Sequence, residues 1–285
     1  MRSNIIHKSV KTVAISFISA WVIISIFPIF WALLTSLKPP IEVASMPPKL
    51  LFLPDFSNYK TVLFGGAGGF YSIVQEGFWR FLMNSFVIST ITTILTLFLG
   101  TMSSYYIARV KLKSDRLRFW FLSLRMMPPI AIIIPFYIMM KYVGLVDSKI
   151  SLILIYTIFN LPLTVWFVSS YIRTIPIEYD QMAAIDGFSK WSGFLKVIVP
   201  MSKPAIITSA LLVFIFSWNE FLFALILTGF KSKTLPVLAT GFITQRGIIW
   251  GQLTATAIII IIPIFIMTLI AQRYLSRGMT LGIKR

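Results

Sequence analysis

No cysteine occurs anywhere in the chain, so disulfides, thiolate metal sites and cysteine nucleophiles are excluded together. Histidine is nearly as scarce: His7, close to the N-terminus, stands alone, which leaves imidazole-based acid–base catalysis and metal ligation without residues. Charge is thin too, at 12% of residues against about 25% in an average soluble domain, and the 9 Asp and Glu are far outnumbered by 26 Lys and Arg. No Gly-x4-Gly-Lys-Ser/Thr segment is present, so the chain carries no phosphate loop of its own. Gly65, Gly66, Gly68 and Gly69 precede no such lysine and read as a flexible connection.

What fills the chain instead is apolar. Hydrophobic residues make up 57% of the 285, in runs at about 12–36, 80–108, 117–141, 150–173, 204–229 and 251–275. Each run is near or above the roughly 20 residues that cross a hydrocarbon layer of about 30 Å. Unbroken stretches such as Ile258–Ile262 exclude the alternating pattern of a β-barrel, the other architecture that satisfies every backbone hydrogen bond in lipid. The pattern predicts one all-α integral membrane domain over 1–285 with six transmembrane helices, kinked at Pro129, Pro135, Pro162 and Pro263. The N-terminal run follows Arg2, Lys8 and Lys11 but is too long for a cleaved signal, and it reads as a retained anchor.

The net charge of +17 does not point to nucleic acid, because the basic residues flank spans and form no long run or aromatic-interleaved patch. They read as orientation signals. Six spans place both termini on one face, which also gathers Arg109, Lys111, Lys113, Arg116 and Arg118, then Arg173, Lys190, Lys196 and Lys203, then Arg273 and Arg277. That face is predicted to be cytoplasmic, with loops at about 37–79 and 230–250 outside. Arg125 falls within the third span and could pair, snorkel, gate or touch a solute; Asn84 and Asn160 are expected to hydrogen-bond between helices.

The segment 176–200 stands apart as a polar element on the basic face. Pro176 suits a first helical turn, and Glu178 and Asp180 sit near the positive end of the helix dipole, worth about 0.3–1 kcal/mol each. The helix should end near Asp186, with Gly187 in the left-handed closing position and Ser189 capping a second helix that carries Trp191, Phe194 and Ile198 towards Pro200. Met182, Ala183, Ile185 and Phe188 leave an apolar surface outside the bilayer, which either packs on the protein's own helices or meets a partner.

The string Gln181-Met-Ala-Ala-Ile-Asp-Gly187, followed by Phe194 and Ile198-Val-Pro200, resembles the EAA signature of ABC-importer membrane subunits. It departs from that signature at Gln181, where Glu is usual, and at Met182, where Ala is usual. Ser36-Leu-Lys38, Phe56-Ser-Asn58-Tyr59, Asn84-Ser85-Phe86, Phe216-Ser-Trp218-Asn-Glu220, Thr234-Leu-Pro236, Trp250-Gly251 and Gln272-Arg273-Tyr274 extend the likeness to the carbohydrate, maltose-type branch. The resemblance implies the type I ABC importer permease fold in a bacterial or archaeal cytoplasmic membrane. Gln181, Met182, Ala183, Ala184, Asp186 and Gly187 would then form a coupling helix docking on an ATP-binding subunit dimer. That dimer, not this chain, would hold ATP and Mg. Further implied partners are a second, different permease, an extracytoplasmic sugar-binding protein and membrane lipid.

Within this resemblance Gly241, Thr244 and Gln245 correspond to the external loop that reaches into the binding protein. Trp218, Asn219 and Glu220 are candidates to line the sugar pathway, since indole stacks on sugar C–H faces and amide and carboxylate meet hydroxyls. An interfacial anchor with a helix-capping carboxylate is the competing reading of those three. An ion-coupled secondary transporter is the alternative function, and it would have to use Glu220, the one carboxylate inside a span. The identity of the sugar is open between polyols, disaccharides and longer oligosaccharides.

Overall fold

Long apolar stretches in this chain satisfy their backbone groups as helices, as they must in lipid. The computed structural model describes residues 2–43, 45–65, 77–109, 114–245 and 247–280. Gly66, Gly68, Gly69, Lys111, Lys113 and the tail 281–285 lie outside the described residues. In chain order the helices are α1 (Arg2–Ser36), α2 (Pro40–Val43), α3 (Ser57–Phe64), α4 (Phe78–Arg109), α5 (Ser114–Leu124), α6 (Pro129–Tyr142), α7 (Lys149–Ile172), α8 (Glu178–Ile185), α9 (Lys190–Gly193), α10 (Val199–Met201), α11 (Lys203–Trp218), α12 (Leu222–Leu227), α13 (Leu235–Thr240) and α14 (Trp250–Thr280). A π turn over Phe194–Ile198 joins α9 to α10, and β1 (Ile243–Thr244) pairs antiparallel with β2 (Gly247–Ile248).

Four helices are long and apolar enough to cross a membrane: α1 from Lys11, α4, α7, and α14 as far as Ile270. Two further candidates are bent by 77° each, α5 with α6 and the α9–α10 segment with α11, so the total is six if each bent pair is one span. Two predicted spans, 117–141 and 204–229, are not single helices, and the second bent pair is made by the segment 190–201 ahead of α11, not by the break after it. The run 117–141 breaks at 125–128, because Pro128 disfavours helical geometry at Met127 and neither Pro128 nor Pro129 has an N–H to give. Pro129, expected as a kink, opens α6, whereas Pro135, Pro162 and Pro263 lie within helices as predicted. The run 204–229 stops at Trp218 and restarts at Leu222.

The chain divides into two compact units. In the first, residues 1–78 with 239–262, Asn58 Nδ2 donates to the carbonyls of Ser36 (3.0 Å) and Lys38 (2.9 Å), and Ser36 Oγ meets Tyr59 OH at 2.8 Å. A Cβ at Gly251 would sit 2.5 Å from Asn58 Oδ1, so this glycine admits the close approach of that amide. The residues that carry the family resemblance here are thus a structural clasp. Lys38, almost wholly buried, lies over the rings of Trp31 and Phe52.

The second unit, residues 79–238 with 263–285, has a core of Ile133, Phe136, Met140, Leu152, Ile155, Tyr156, Phe223 and Leu227 from α6, α7 and α12. Helix α4 packs closely on α7 at Gly100, where a Cβ would meet Thr164 Cγ2 at 2.5 Å, and Ser104 Oγ donates across to the Val165 carbonyl. Asp147, in the left-handed region at φ 58°, accepts from the consecutive N–H groups of Gly229, Phe230, Lys231 and Ser232 and from the Ser232 hydroxyl. Partial burial alone would raise its carboxyl; the donors, Lys231 foremost, outweigh that and bring its pKa down to about 2. Asn84, expected to bridge two helices, instead holds the same loop through the Lys231 and Lys233 carbonyls, while Asn160 does bridge, from the Tyr156 carbonyl to Ser217 Oγ.

Candidate functional site

Helix α8 begins after Pro176, with Glu178 and Asp180 in its first turn, and closes in a Schellman motif. Phe188 N–H donates to the Ala183 carbonyl at 3.0 Å, Gly187 N–H donates to the Ala184 carbonyl at 3.2 Å, and Gly187 takes φ 82°. Ser189 Oγ then accepts from Ser192 N–H and caps α9. The two helices meet tightly: a Cβ at Gly193 would touch Ala183 Cβ at 3.4 Å, and Ala183 is only 5% exposed.

Ala183 is accordingly the inward residue of the signature, while Gln181, Met182, Ala184, Asp186 and Gly187 are exposed. Of the apolar residues that the sequence left open between two readings, Met182 (58% exposed) and Ile185 (85%) face out, and Trp191 (50%) adds to their surface. Only Ala183 and, in part, Phe188 turn inward. The second helix is fastened from behind by Phe194 and Ile198, which share a core with Val168, Ile172 and Ile175.

The element is locked to the long helix α4 by contacts the sequence did not reveal. Asp180 pairs with Arg109 at 2.7 Å and accepts from Tyr105 OH at 2.7 Å. Arg109 also donates to the carbonyls of Ile175 (3.1 Å) and Ile172 (3.4 Å), spanning the end of α7 and the turn before α8. Residue pattern assigned Asp180 to the helix dipole and Arg109 to orientation; only chain folding brings charges 71 positions apart into register, and no local signal announces it. Next to the latch, Tyr105, Arg109, Gln181, Ala184, Phe188 and Lys190 surround a cavity of about 470 Å³. On the neighbouring surface Asp115 pairs with Arg173 and Arg118, and Arg118 also reaches Ser169 and Ser170.

The other sequence candidates do not cluster with this element. Trp218 is 1% exposed and stacks on Phe214 at 5.6 Å within the chain. Glu220 lies in the break after α11: its carboxylate accepts from Phe223 N–H (2.9 Å), Ala224 N–H (3.1 Å) and Tyr156 OH (2.7 Å), and so caps α12. That carboxylate, which ion coupling would have to use, is committed to holding backbone. Asn219 is exposed, its amide donating back to the Ile215 carbonyl. Thr244 and Gln245 stand at the β1–β2 hairpin, Thr244 Oγ1 donating to the Gly247 carbonyl, and Gly241 lies in the turn leading to it. Arg246 is outside the described residues.

Residues 96–281 match the model of the family described as binding-protein-dependent transport system inner membrane component. The trehalose transport system permease protein SugB of Mycobacterium tuberculosis is 35% identical over 264 residues, covering 90% of this chain and 92% of its own length. The trehalose/maltose transport system permease protein MalG of Thermococcus litoralis is 32% identical over 264 residues, covering 91% of each. The fold is shared with a bacterial ABC transporter involved in the import of the acidic polysaccharide alginate, at TM-score 0.74 and 21% identity over 96% of this chain and 98% of that one. The signature helix pair, the apolar spans and these matches agree, and the chain belongs to the binding-protein-dependent transport system inner membrane components, with the fold of a type I ABC importer permease.

Proposed function

We propose that this chain is one of two different membrane-spanning subunits of an ATP-driven sugar importer, and that Met182, Ile185 and Trp191 are the surface on which a separate ATP-binding subunit seats. The observation that carries this is an apolar face left exposed on a short element that is itself bolted to α4 and α7. Exposure alone would leave a sticky patch. Exposure on a rigid lever lets force applied there turn the spans. ATP and Mg belong to the partner, whose closure around nucleotide moves the lever.

The positive charge around the element, at Arg109, Arg118 and Arg173, supports a cytoplasmic position for it, in a bacterial or archaeal inner membrane. Six crossings counted along the sequence put the 230–250 loop, with Thr244 and Gln245, outside, where it meets an extracytoplasmic sugar-binding protein. Relatives named for trehalose and maltose support a saccharide as cargo. Among the three pathway candidates Asn219 is the one that faces outward, with Glu220 holding the break that presents it and Trp218 packed behind.

The test is Ile185→Asp combined with Met182→Asp in the transporter reconstituted with its ATP-binding subunits and binding protein. The pair should abolish subunit association and stimulated ATP hydrolysis while membrane insertion stays normal. Full stimulation in the double variant overturns the assignment of this face.

A further inference from the structure

Two helix breaks, at 125–128 and 219–221, occur in apolar segments that otherwise run as helix. Arg125 follows the 11 residues of α5, about 16 Å of helix, and Phe216 lies about 20 Å along α11 from Lys203. Both distances approach the middle of a hydrocarbon layer of about 30 Å. The breaks also adjoin: Arg125 Cζ sits 4.5 Å from the centroid of the Phe216 ring, one turn before Asn219.

Non-helical backbone at that depth is tolerated only when buried in protein or lining a water-filled cavity. These breaks are not buried within the chain, since Met126 (78%), Met127 and Asn219 are exposed. Among the described residues the guanidinium is also without a counter-charge. Its Nη1 is enclosed and has no hydrogen-bond partner, and among the described residues no carboxylate lies within ion-pair distance. The carboxylates closest in sequence to the two breaks are committed: Glu220 caps α12 and Asp115 holds Arg118 and Arg173. A lone cation facing hydrocarbon is strongly disfavoured.

We propose that Arg125, with the Phe216 ring and the Asn219 amide, forms a solute-facing point of the transmembrane pathway and that the solute is a saccharide bearing an anionic group. The carboxylate, sulfonate or phosphate of such a sugar supplies the missing counter-charge. The aromatic face takes a ring C–H surface, and the amide meets hydroxyls. This rests on the importer reading, in which this chain lines half of the pathway.

The absence of cysteine makes the test direct. Met126→Cys introduces one thiol beside Arg125, to be probed in the assembled transporter with an anionic (ethylsulfonate) and a cationic (trimethylammonium) methanethiosulfonate, the unsubstituted complex serving as blank. Both reagents should react, the anionic one preferentially. Arg125→Gln should lower the anion-to-cation rate ratio about sevenfold, since a unit charge about 7 Å away changes each rate roughly 2.7-fold in opposite directions at water-like dielectric. Arg125→Lys, which keeps the charge, should preserve the ratio and controls for misfolding. Failure of both reagents to react, as when lipid or a partner's carboxylate covers the site, overturns the proposal, and so does a ratio insensitive to Arg125→Gln. A thermal-shift screen in which the cognate binding protein takes only neutral saccharides overturns the substrate class. Failure of the importer reading itself would appear separately, in the Ile185 and Met182 variants, which touch none of these residues.

Discussion

Replacing Asp180 by Ala removes one end of the latch between α4 and α8 and leaves Arg109 with its two carbonyl partners. The Arg109 and Asp180 side chains are 16% and 20% exposed, so the pair is largely but not fully enclosed. Breaking a fully buried pair costs about 3–5 kcal/mol and an exposed one under about 1, and hydrogen bonds to charged groups contribute about 1.5–3 each. An intermediate value of about 2 kcal/mol is expected for local opening of α8, because the Tyr105 hydroxyl loses its acceptor as well. At about 1.36 kcal/mol per factor of ten, amide exchange over residues 180–187 should accelerate roughly 30-fold, with exchange in the α6–α7 core unchanged. Arg109→Ala should act similarly, and the double variant should cost less than the sum of the two, since each partner's penalty includes the other left unpaired. Hydrogen–deuterium exchange in lipid nanodiscs reads all three. Exchange at 180–187 unaltered in both single variants would refute the view that this pair rigidifies α8.

Gly187→Asp places a side chain at φ 82°, at a cost of about 1–2 kcal/mol, and should abolish stimulation of ATP hydrolysis by the binding protein while insertion remains normal; Gly187→Asn should be milder. Asp147 has a folded-state pKa of about 2, below its ordinary value, so its stabilisation of the 229–232 loop is complete above the ordinary carboxylate range and disappears as pH falls through about 2. Protease resistance of that loop should therefore persist at pH 4, and Asp147→Ala should abolish it at any pH. Gly100→Ala drives a methyl into Thr164 Cγ2 and should destabilise by about 1–3 kcal/mol in detergent thermal denaturation, with Thr164→Ser restoring much of the loss.

Much of the architecture is written in residue type. Absent cysteine and near-absent histidine, apolar runs of membrane length, and basic residues beside them specify a helical membrane protein. Local chemistry at 176–200 specifies two short helices about Gly187, because capping, left-handed closure and dipole effects each act within a turn. The double proline at 128–129 also held a break that hydropathy averaging smoothed over, since a window of apolar residues reports length and not continuity.

Partnership at a distance was not legible. Nothing near Asp180 in sequence indicates Arg109, nothing near Glu220 indicates Tyr156, and nothing near Asp147 indicates the loop 229–232, yet each pairing redefines the carboxylate involved. Sequence therefore determined that the chain is helical and apolar enough to span a membrane, and where the helix pair about Gly187 bends, but not that the runs 117–141 and 204–229 are broken. Tertiary packing alone decided which polar groups are spent on holding backbone and which remain free to act, because a charge's role is set by what lies within a few ångströms of it.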